Sequence, residues 1–346
     1  MAFGVRFMSK NIGLDLGTAN VAISIAGQGV ALREPAMVAV KVEPRREVVA
    51  VGEDAKTMLG RTPEAIRAVR PMNEGVIADF DAAQLMIKYL LQKANDFSVP
   101  IFKPRVVVCV PYSITPVERR AVLEAVRNAG ARSVHIVVEP MAAAIGAGLP
   151  VGDAKGCMVV DIGGGTSEIA VISMNGIVTA GSVRCGGQKM DEAIINYLRN
   201  EYNLLVGERT AEEVKIGIGS AISTRRRESA QVHGRDLITG LPHTVAITNE
   251  QITEALHEPL SVIVNALRNC LENTPPEIAA DIMESGIYLT GGGALLSGMD
   301  ILVANATGMP VVLSEQPLDC VALGAGILAA DVPRLKVITS QAEDWK

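Results

Sequence analysis

One pattern occurs twice in this chain of 346 residues: an apolar segment with Asp near its end, a glycine-containing turn with Thr, and a second apolar segment. The first copy is residues 11–16, the turn at 17–20 and residues 21–25; the second is residues 158–162, the turn at 163–166 and residues 168–173. Asp15 and Asp161 hold equivalent places, 146 positions apart (161 − 15). Two copies of one hairpin predict a duplicated fold with a cleft between its halves.

The residue types in these two turns are typical of a phosphate site. Glycines let backbone N–H groups approach phosphate oxygens closely, and a Thr hydroxyl adds a donor. An Asp at the end of each strand is suited to hold Mg²⁺ through its retained waters. One such turn alone is typical of an ordinary β-turn, but the pair favours a phosphate site. The candidate binding residues are Gly17, Thr18, Ala19, Asn20, Gly163, Gly164, Gly165 and Thr166, with Asp15 and Asp161 for the metal.

Strand-like and helix-like segments alternate elsewhere, which predicts an α/β fold. Residues 105–110 form a continuous apolar run of the buried-strand kind, and Thr115-Pro116-Val117-Glu118 is a capping box that begins a helix ending at Gly130. The next strand, 134–138, leads directly into Glu139 and a helix rich in Ala and Gly. A carboxylate there could orient a water for attack on a γ-phosphate. Taken alone, however, Glu139 is more typical of an N-terminal acid favoured by the helix dipole.

The second half predicts three further helices. They are placed at about 190–201, from Thr210 with a capping box completed by Glu213, and from Thr248 with Gln251 in that role. The polar stretch 224–243 between the last two is typical of a peripheral insertion.

A third glycine turn follows the strand-like residues 286–290. Thr290-Gly291-Gly292-Gly293 leads into a helix opened by Ala294, an arrangement suited to an α-phosphate or a sugar. Glu212 and Lys215, three positions apart, lie on one helix face. They could meet a ribose and a base, or form a surface ion pair.

Composition excludes several classes of protein. There are 32 Lys+Arg against 38 Asp+Glu, a net charge of −6, and only 3% aromatic residues, so we expect no nucleic-acid partner. Five scattered cysteines suggest buried, reduced thiols and a cytoplasmic protein rather than disulfides or zinc. The longest uncharged stretches, 140–152 and 320–330, are too short to span a bilayer, and no P-loop or signal peptide is evident.

Taken together, the two Asp hairpins, the Glu139-Pro140-Met141-Ala142-Ala143-Ala144 segment and the turn at 290–293 resemble the actin-like ATPase superfamily. Five more stretches are similar to the MreB family of bacterial actins: 70–72, 75–80, 117–120, 190–194 and 207–212. The likeness runs from Asn11 to about Ala330. It implies a duplicated actin-like (ribonuclease H-like) fold, with two halves of two subdomains each around a nucleotide cleft. The implied subdomains are IA (1–33, 72–149, 317–346), IB (34–71), IIA (150–185, 251–316) and IIB (186–250).

The resemblance also implies roles for individual residues around ATP and Mg²⁺, with adenine preferred over guanine. Thr18 and Asn20 would contact phosphates, and Thr166 would touch the γ-phosphate. Asp15 and Asp161 would lie near Mg²⁺, and Glu139 would align the hydrolytic water. The nucleoside would be lined by Glu208, Glu212 and Lys215, and the pocket would be closed by Thr290, Gly291, Gly292 and Gly293.

The implied function is that of a weak ATPase that polymerises into filaments on the inner face of the cytoplasmic membrane and directs cell-wall synthesis to maintain rod shape. Implied partners are further copies of the chain, membrane lipids and membrane proteins of cell-wall elongation. Phe3, Phe7 and Met8 can share one helical face, and Ile101 with Phe102 can form an exposed apolar loop; a frayed terminus and a loop folded onto the core are the alternatives. Because phosphate loops alone do not select the acceptor, a non-polymerising actin-fold ATPase or a small-molecule kinase stays open.

Overall fold

The computed structural model describes residues 10–41, 47–95, 103–224 and 227–343, and the chain forms two compact units. The first unit comprises Met1–Gly148 and Asp319–Lys346, and the second comprises Leu149–Leu318. Within the described ranges, no helix combines the length and the apolar character needed to cross a bilayer.

The first unit is built mainly on a five-stranded sheet. Up to Gly148 its elements are β1 (Asn11–Leu16), β2 (Asn20–Ile25), β3 (Gly29–Pro35), β4 (Val38–Lys41), β5 (Glu47–Val51), α1 (Glu53–Met58), β6 (Ile66–Val69), β7 (Met72–Asn73), β8 (Val76–Ile77), α2 (Phe80–Asn95), β9 (Arg105–Val110), α3 (Pro116–Asn128), β10 (Ser133–Val138) and α4 (Glu139–Gly146). The large sheet has the order β10-β9-β1-β2-β3, while β5-β4-β6 and β7-β8 form small separate sheets. Strand β9 is apolar along almost its whole length because the sheet buries both of its faces.

The second unit has a sheet of the same plan. Its elements are β11 (Cys157–Ile162), β12 (Ser167–Ser173), β13 (Gly176–Val183), α5 (Gly187–Tyr202), β14 (Leu204–Leu205), α6 (Glu208–Ile218), β15 (Ser229–Asp236), β16 (Pro242–Thr248), α7 (Asn249–Glu272), α8 (Pro276–Ser285), β17 (Ile287–Thr290), a 3₁₀ helix (Gly292–Leu295), α9 (Met299–Thr307) and β18 (Val311–Leu313). The large sheet has the order β13-β12-β11-β17-β18, and β14-β15-β16 form a small sheet.

The two large sheets match strand for strand. In each sheet the first three strands along the chain pair antiparallel (β1-β2-β3 and β11-β12-β13). Two later strands pair parallel on the opposite edge of the first strand: β9 and β10 beside β1, and β17 and β18 beside β11. The predicted duplication of the fold is therefore confirmed. The proposed limits of the four subdomains stay a prediction.

The chain returns to the first unit with α10 (Cys320–Ala330) and α11 (Val332–Glu343). Helix α10 is buried along most of its length and crosses α4 at a glycine contact. A β-carbon added at Gly324 would lie closer than 3.0 Å to the Ala142 carbonyl, and one added at Gly146 would meet the Cys320 carbonyl as closely. The glycines in these two helices therefore permit the backbones to touch.

Local sequence signals were accurate where the interacting groups are close in sequence. Both hairpins, the strand at 105–110 and the capping boxes at Thr115 and Thr248 are confirmed. All five cysteines are buried and unbonded to one another, as predicted.

Two predicted helix starts were wrong, and a third stretch has more regular structure than was predicted. Helix α6 begins at Glu208 rather than Thr210, because Gly207 supplies an extended N-cap and the acidic Glu208 suits the first turn. The stretch 224–243, predicted to be a peripheral insertion, contains strand β15 and the start of β16 in a small sheet separate from the large one; both strands are polar on the face exposed to solvent. The turn after Thr290 continues as a short 3₁₀ helix from Gly292, and the next α-helix begins only at Met299.

Candidate functional site

The first glycine turn joins β1 to β2 and is held by neighbouring backbone. Thr18 is buried, and its hydroxyl oxygen accepts a hydrogen bond from the Gly75 N–H at 2.8 Å, in the turn between β7 and β8. The Ala19 carbonyl accepts one from the Ala36 N–H at 2.9 Å. Because the Thr18 oxygen serves as an acceptor within the protein, its own proton remains for donation to a phosphate oxygen.

The two polar residues on either side of this turn differ in exposure. Asp15 is half-buried in β1, paired in register with Ala22 of β2 and Cys109 of β9. Asn20 is exposed at the first position of β2. The exposed Asn20 amide lies beside the turn and can reach a bound ligand. The position of Asp15 is set by the pairing of its strand with both neighbours.

The second glycine turn is closed by a hydrogen bond from the Gly163 N–H to the Thr166 carbonyl, at 2.9 Å. Its carbonyls accept from the first turn of α5: Gly187 N–H to the Gly163 oxygen at 2.9 Å, and Gln188 N–H to the Gly164 oxygen at 2.8 Å. Phosphate is recognised by N–H and O–H donors. Because the carbonyl oxygens of Gly163 and Gly164 already accept hydrogen bonds from α5, this turn is suited to meet an anion with donor groups and not with carbonyls.

Asp161 and Thr290, which the sequence assigns to separate motifs, are hydrogen-bonded. They are partners in the parallel register of β11 and β17, and the Thr290 hydroxyl donates to Asp161 Oδ1 at 2.7 Å. Both side chains are buried. Burial raises the pKa of the Asp161 carboxyl to about 6, and the hydrogen bond from Thr290 opposes that rise.

The third glycine turn packs directly against the end of β11. Gly291 has φ +80°, a conformation that favours glycine, and a side chain there would collide with the Ile162 backbone. Its N–H donates to the Pro317 carbonyl at 2.8 Å. Gly293 makes a similarly close approach to Ile162, whereas Gly292 faces Leu318. The second unit thus places Asp161, Thr290 and two glycine turns around the end of one sheet.

Glu139 is the first residue of α4, immediately after β10, and only 7% of it is exposed. The preceding Val138 is an extended N-cap without a side-chain hydrogen bond. The strand-to-helix junction therefore places this buried residue at the edge where α/β folds place their ligands.

The three residues predicted to line a nucleoside lie on α6 but differ in surroundings. Glu208 is exposed, and Glu212 and Lys215 are half-buried. Lys215 Nζ is 2.7 Å from Asp191 Oδ1 and donates to the Gly187 carbonyl at 2.8 Å. Sequence reasoning did not single out Asp191, whose only signal was its place within the family-like stretch 190–194.

The membrane candidates Phe3, Phe7, Met8, Ile101 and Phe102 lie outside the described residues. In the described part of the chain, no group of three or more His, Cys, Asp or Glu side chains could hold a metal ion. The described residues therefore do not form a metal site built from protein side chains alone.

The chain is similar to known proteins over most of its length. A family model described as MreB/Mbl protein matches residues 9–337. The cell shape-determining protein MreB of Escherichia coli K12 is 52% identical over 321 residues, which are 92% of this chain and 92% of that protein. The cell shape-determining protein Mbl of Bacillus subtilis 168 is 46% identical over 327 residues, 94% of this chain and 98% of that protein.

Solved structures agree with this relationship. The crystal structure of MreB5 of Spiroplasma citri bound to ADP superposes with a TM-score of 0.87 at 37% identity, over 94% of this chain and 97% of that one. A MamK double helical filament structure has a TM-score of 0.78 at 20% identity, over 92% and 98% of the two chains, and supports the fold alone. The duplicated sheets are thus those of an actin-like fold, and the chain belongs to the MreB/Mbl family.

Proposed function

We propose that the chain is an ATP-dependent, filament-forming bacterial actin that assembles on the inner face of the cytoplasmic membrane and directs cell-wall synthesis to maintain cell shape. The observation that carries the proposal is the repeated glycine turn at the end of equivalent strands, β1 and β11, each with a strand Asp. Relatives about half identical over more than nine-tenths of the chain are cell shape-determining proteins. The Spiroplasma citri relative has been solved with ADP and with AMPPNP.

In this proposal both glycine turns bind the phosphates of ATP. Thr18 and Asn20 contact phosphates, Thr166 touches the γ-phosphate, and the third turn, Thr290 to Gly293, closes the nucleotide pocket. Glu208 and Glu212 meet the nucleoside, together with Lys215. Buried Glu139 aligns the water that attacks the γ-phosphate.

Asp15 and Asp161 are the proposed residues near Mg²⁺. Mg²⁺ keeps several of its waters and uses one or two carboxylates together with substrate phosphates. Isolated carboxylates fit that mode, whereas a protein-only cage needs a cluster. The ion would neutralise charge on the phosphates; Asp161, whose burial disfavours its ionised form, would gain a cation beside it.

The proposal is tested by light scattering and pelleting over a series of protein concentrations, with ATP, with ADP and without nucleotide, each with Mg²⁺. We expect polymer only above a critical concentration, and phosphate release per molecule that rises with polymer. If the rate of phosphate release per molecule is independent of protein concentration and nothing sediments, a non-polymerising ATPase replaces the filament proposal. Phosphate transfer to an added small-molecule acceptor would indicate the kinase.

Membrane association is tested separately. The chain carries a net charge of −6, so its overall charge does not attract it to anionic lipid, and membrane binding would rest on local groups such as the apolar side chains named above. Liposome co-sedimentation compares the wild type with a variant carrying Phe3→Ser, Ile101→Ser and Phe102→Ser. We expect the variant to remain in the supernatant, and equal sedimentation of the two proteins would rule out these residues as the anchor.

A further inference from the structure

Ser167 is a buried polar residue that directly follows the second glycine turn. It is the first residue of β12, next to Thr166, and none of its surface is exposed. Its hydroxyl donates to the Cys185 carbonyl at 2.6 Å. Cys185 comes just before Gly186, the N-cap of α5. This bond therefore fastens the chain entering α5 to the end of the second glycine turn.

Gly186 packs against the carbonyl oxygens of the same turn. A β-carbon added to Gly186 would lie 2.5 Å from the Gly163 oxygen and 2.9 Å from the Gly164 oxygen. The backbone of Gly186 is extended, with φ −153°, so its conformation alone does not require glycine. Glycine is required at this position because the two segments of backbone touch.

The first turn of α5 continues this contact. The Gly187 N–H donates to the Gly163 carbonyl at 2.9 Å, and the Gln188 N–H donates to the Gly164 carbonyl at 2.8 Å. Together with the Ser167 hydroxyl, these bonds hold the turn against residues 185–188. The directions of two peptide groups of the turn are therefore set by the protein itself.

Fixed peptide groups favour the binding of an anion. Phosphate is recognised by N–H and O–H donors, so a carbonyl that rotates toward it presents the wrong end of its dipole. Affinity is higher when a site already has its binding conformation, because binding then requires no ordering. Thr166, the proposed γ-phosphate contact, lies between the held carbonyls and Ser167. Loss of the Ser167 bond should therefore weaken ligands that carry a γ-phosphate more than ligands that lack one.

We propose that Ser167 is a positioning residue: its bond to Cys185, with the close approach of Gly186, holds the second glycine turn in the conformation that accepts the γ-phosphate. This inference rests on the proposed function and deepens it. Ser167 and Gly186 are not among the residues proposed to contact the nucleotide, and both act through the turn.

The test measures the affinity of the full chain for AMPPNP and for ADP, each with Mg²⁺, in Ser167→Ala and Gly186→Ala. We expect Ser167→Ala to lower the ratio of AMPPNP affinity to ADP affinity by about fivefold, the effect of losing one neutral hydrogen bond. Gly186→Ala should lower the ratio at least as far, because its β-carbon would displace both carbonyls. Ser167→Thr keeps the hydroxyl and should keep the ratio near that of the wild type.

Ser173→Ala is the matched control at the other end of the same strand. Ser173 is also buried, and its hydroxyl donates to the Ala154 carbonyl at 2.9 Å, so the same substitution removes a comparable bond away from the turn. Gly181→Ala on β13 is the control for an added β-carbon, which would make only ordinary contacts there. Both controls should leave the affinity ratio unchanged, even where the melting temperature falls.

An unchanged ratio in a folded Ser167→Ala protein would overturn the inference and leave the proposed function in place. An equal fall in the ratio for Ser173→Ala would overturn it too, since the effect would then reflect general loosening of β12. If Gly186→Ala fails to fold, the comparison of Ser167→Ala with Ser167→Thr decides alone. A wild-type chain that binds neither nucleotide would remove the proposed function, and this inference with it.

Discussion

Asp161→Asn should make the nucleotide-free protein more stable while removing a proposed functional group. Burial raises the pKa of this carboxyl from 3.8 to about 6. Because the folded state has the higher pKa, it binds the proton more tightly than the unfolded chain does. The associated stability is therefore fully present below pH 3.8 and is lost as the pH rises through about 6.

The magnitude follows from that difference in pKa. At about 1.36 kcal/mol per pH unit, the ionised carboxylate lowers the free energy of unfolding by up to about 3 kcal/mol at pH 7.5. Asn keeps an oxygen that can accept the Thr290 hydroxyl proton, but its amide N–H groups also need partners. We therefore expect Asp161→Asn to raise the free energy of unfolding by about 1 to 3 kcal/mol at pH 7.5, and by about half as much at pH 5.

The assay is urea denaturation at both pH values, in EDTA and without nucleotide, so that no cation compensates the charge. Asp300→Asn, at an exposed position of α9 in the same unit, is the control for loss of one negative charge. A wild type as stable as Asp161→Asn at pH 7.5, or a difference that does not shrink at pH 5, would refute the reasoning.

Three further substitutions test other features. Thr115→Ala removes the capping box of α3 and should lower the free energy of unfolding by about 1 kcal/mol, measured in urea. Gly324→Val forces a side chain into the backbone of α4, so we expect aggregation or a loss of several kcal/mol in the same assay; an unchanged midpoint would contradict the packing described. Glu139→Ala should slow phosphate release by about 100-fold while ATP binding persists, and wild-type turnover would remove Glu139 from its proposed role.

The distance in sequence between interacting groups explains what could be predicted. The capping boxes join residues three apart, and each hairpin brings its strands together through one turn, so a single stretch of sequence contains both partners. The bond between Thr290 and Asp161 spans 129 residues and exists because β17 lies beside β11. The register between these two strands cannot be predicted from either segment of sequence alone.

Strands β15 and β16 were not predicted, because polarity alone does not distinguish such strands from other peripheral segments. The strands β15 and β16 alternate between exposed and more buried positions, with Val232 and Ile247 among the few fully buried residues. Sheets with one face in water carry many polar side chains. The ion pair of Lys215 also depends on the tertiary fold. The sequence left Glu212 open as a partner, and the fold brings Asp191 of another helix within 2.7 Å of Lys215.

The return of the chain at α10 has a consequence for biosynthesis. The second unit is continuous, whereas the first needs α10 to cover β1, β9 and α4, and α10 follows residue 318. During translation the second unit can close its core before the first, whose β1, the earliest strand described, must wait for the last part of the chain to emerge. A nascent chain that has emerged from the ribosome only as far as residue 318 should therefore carry a protease-resistant second unit and an unprotected first unit.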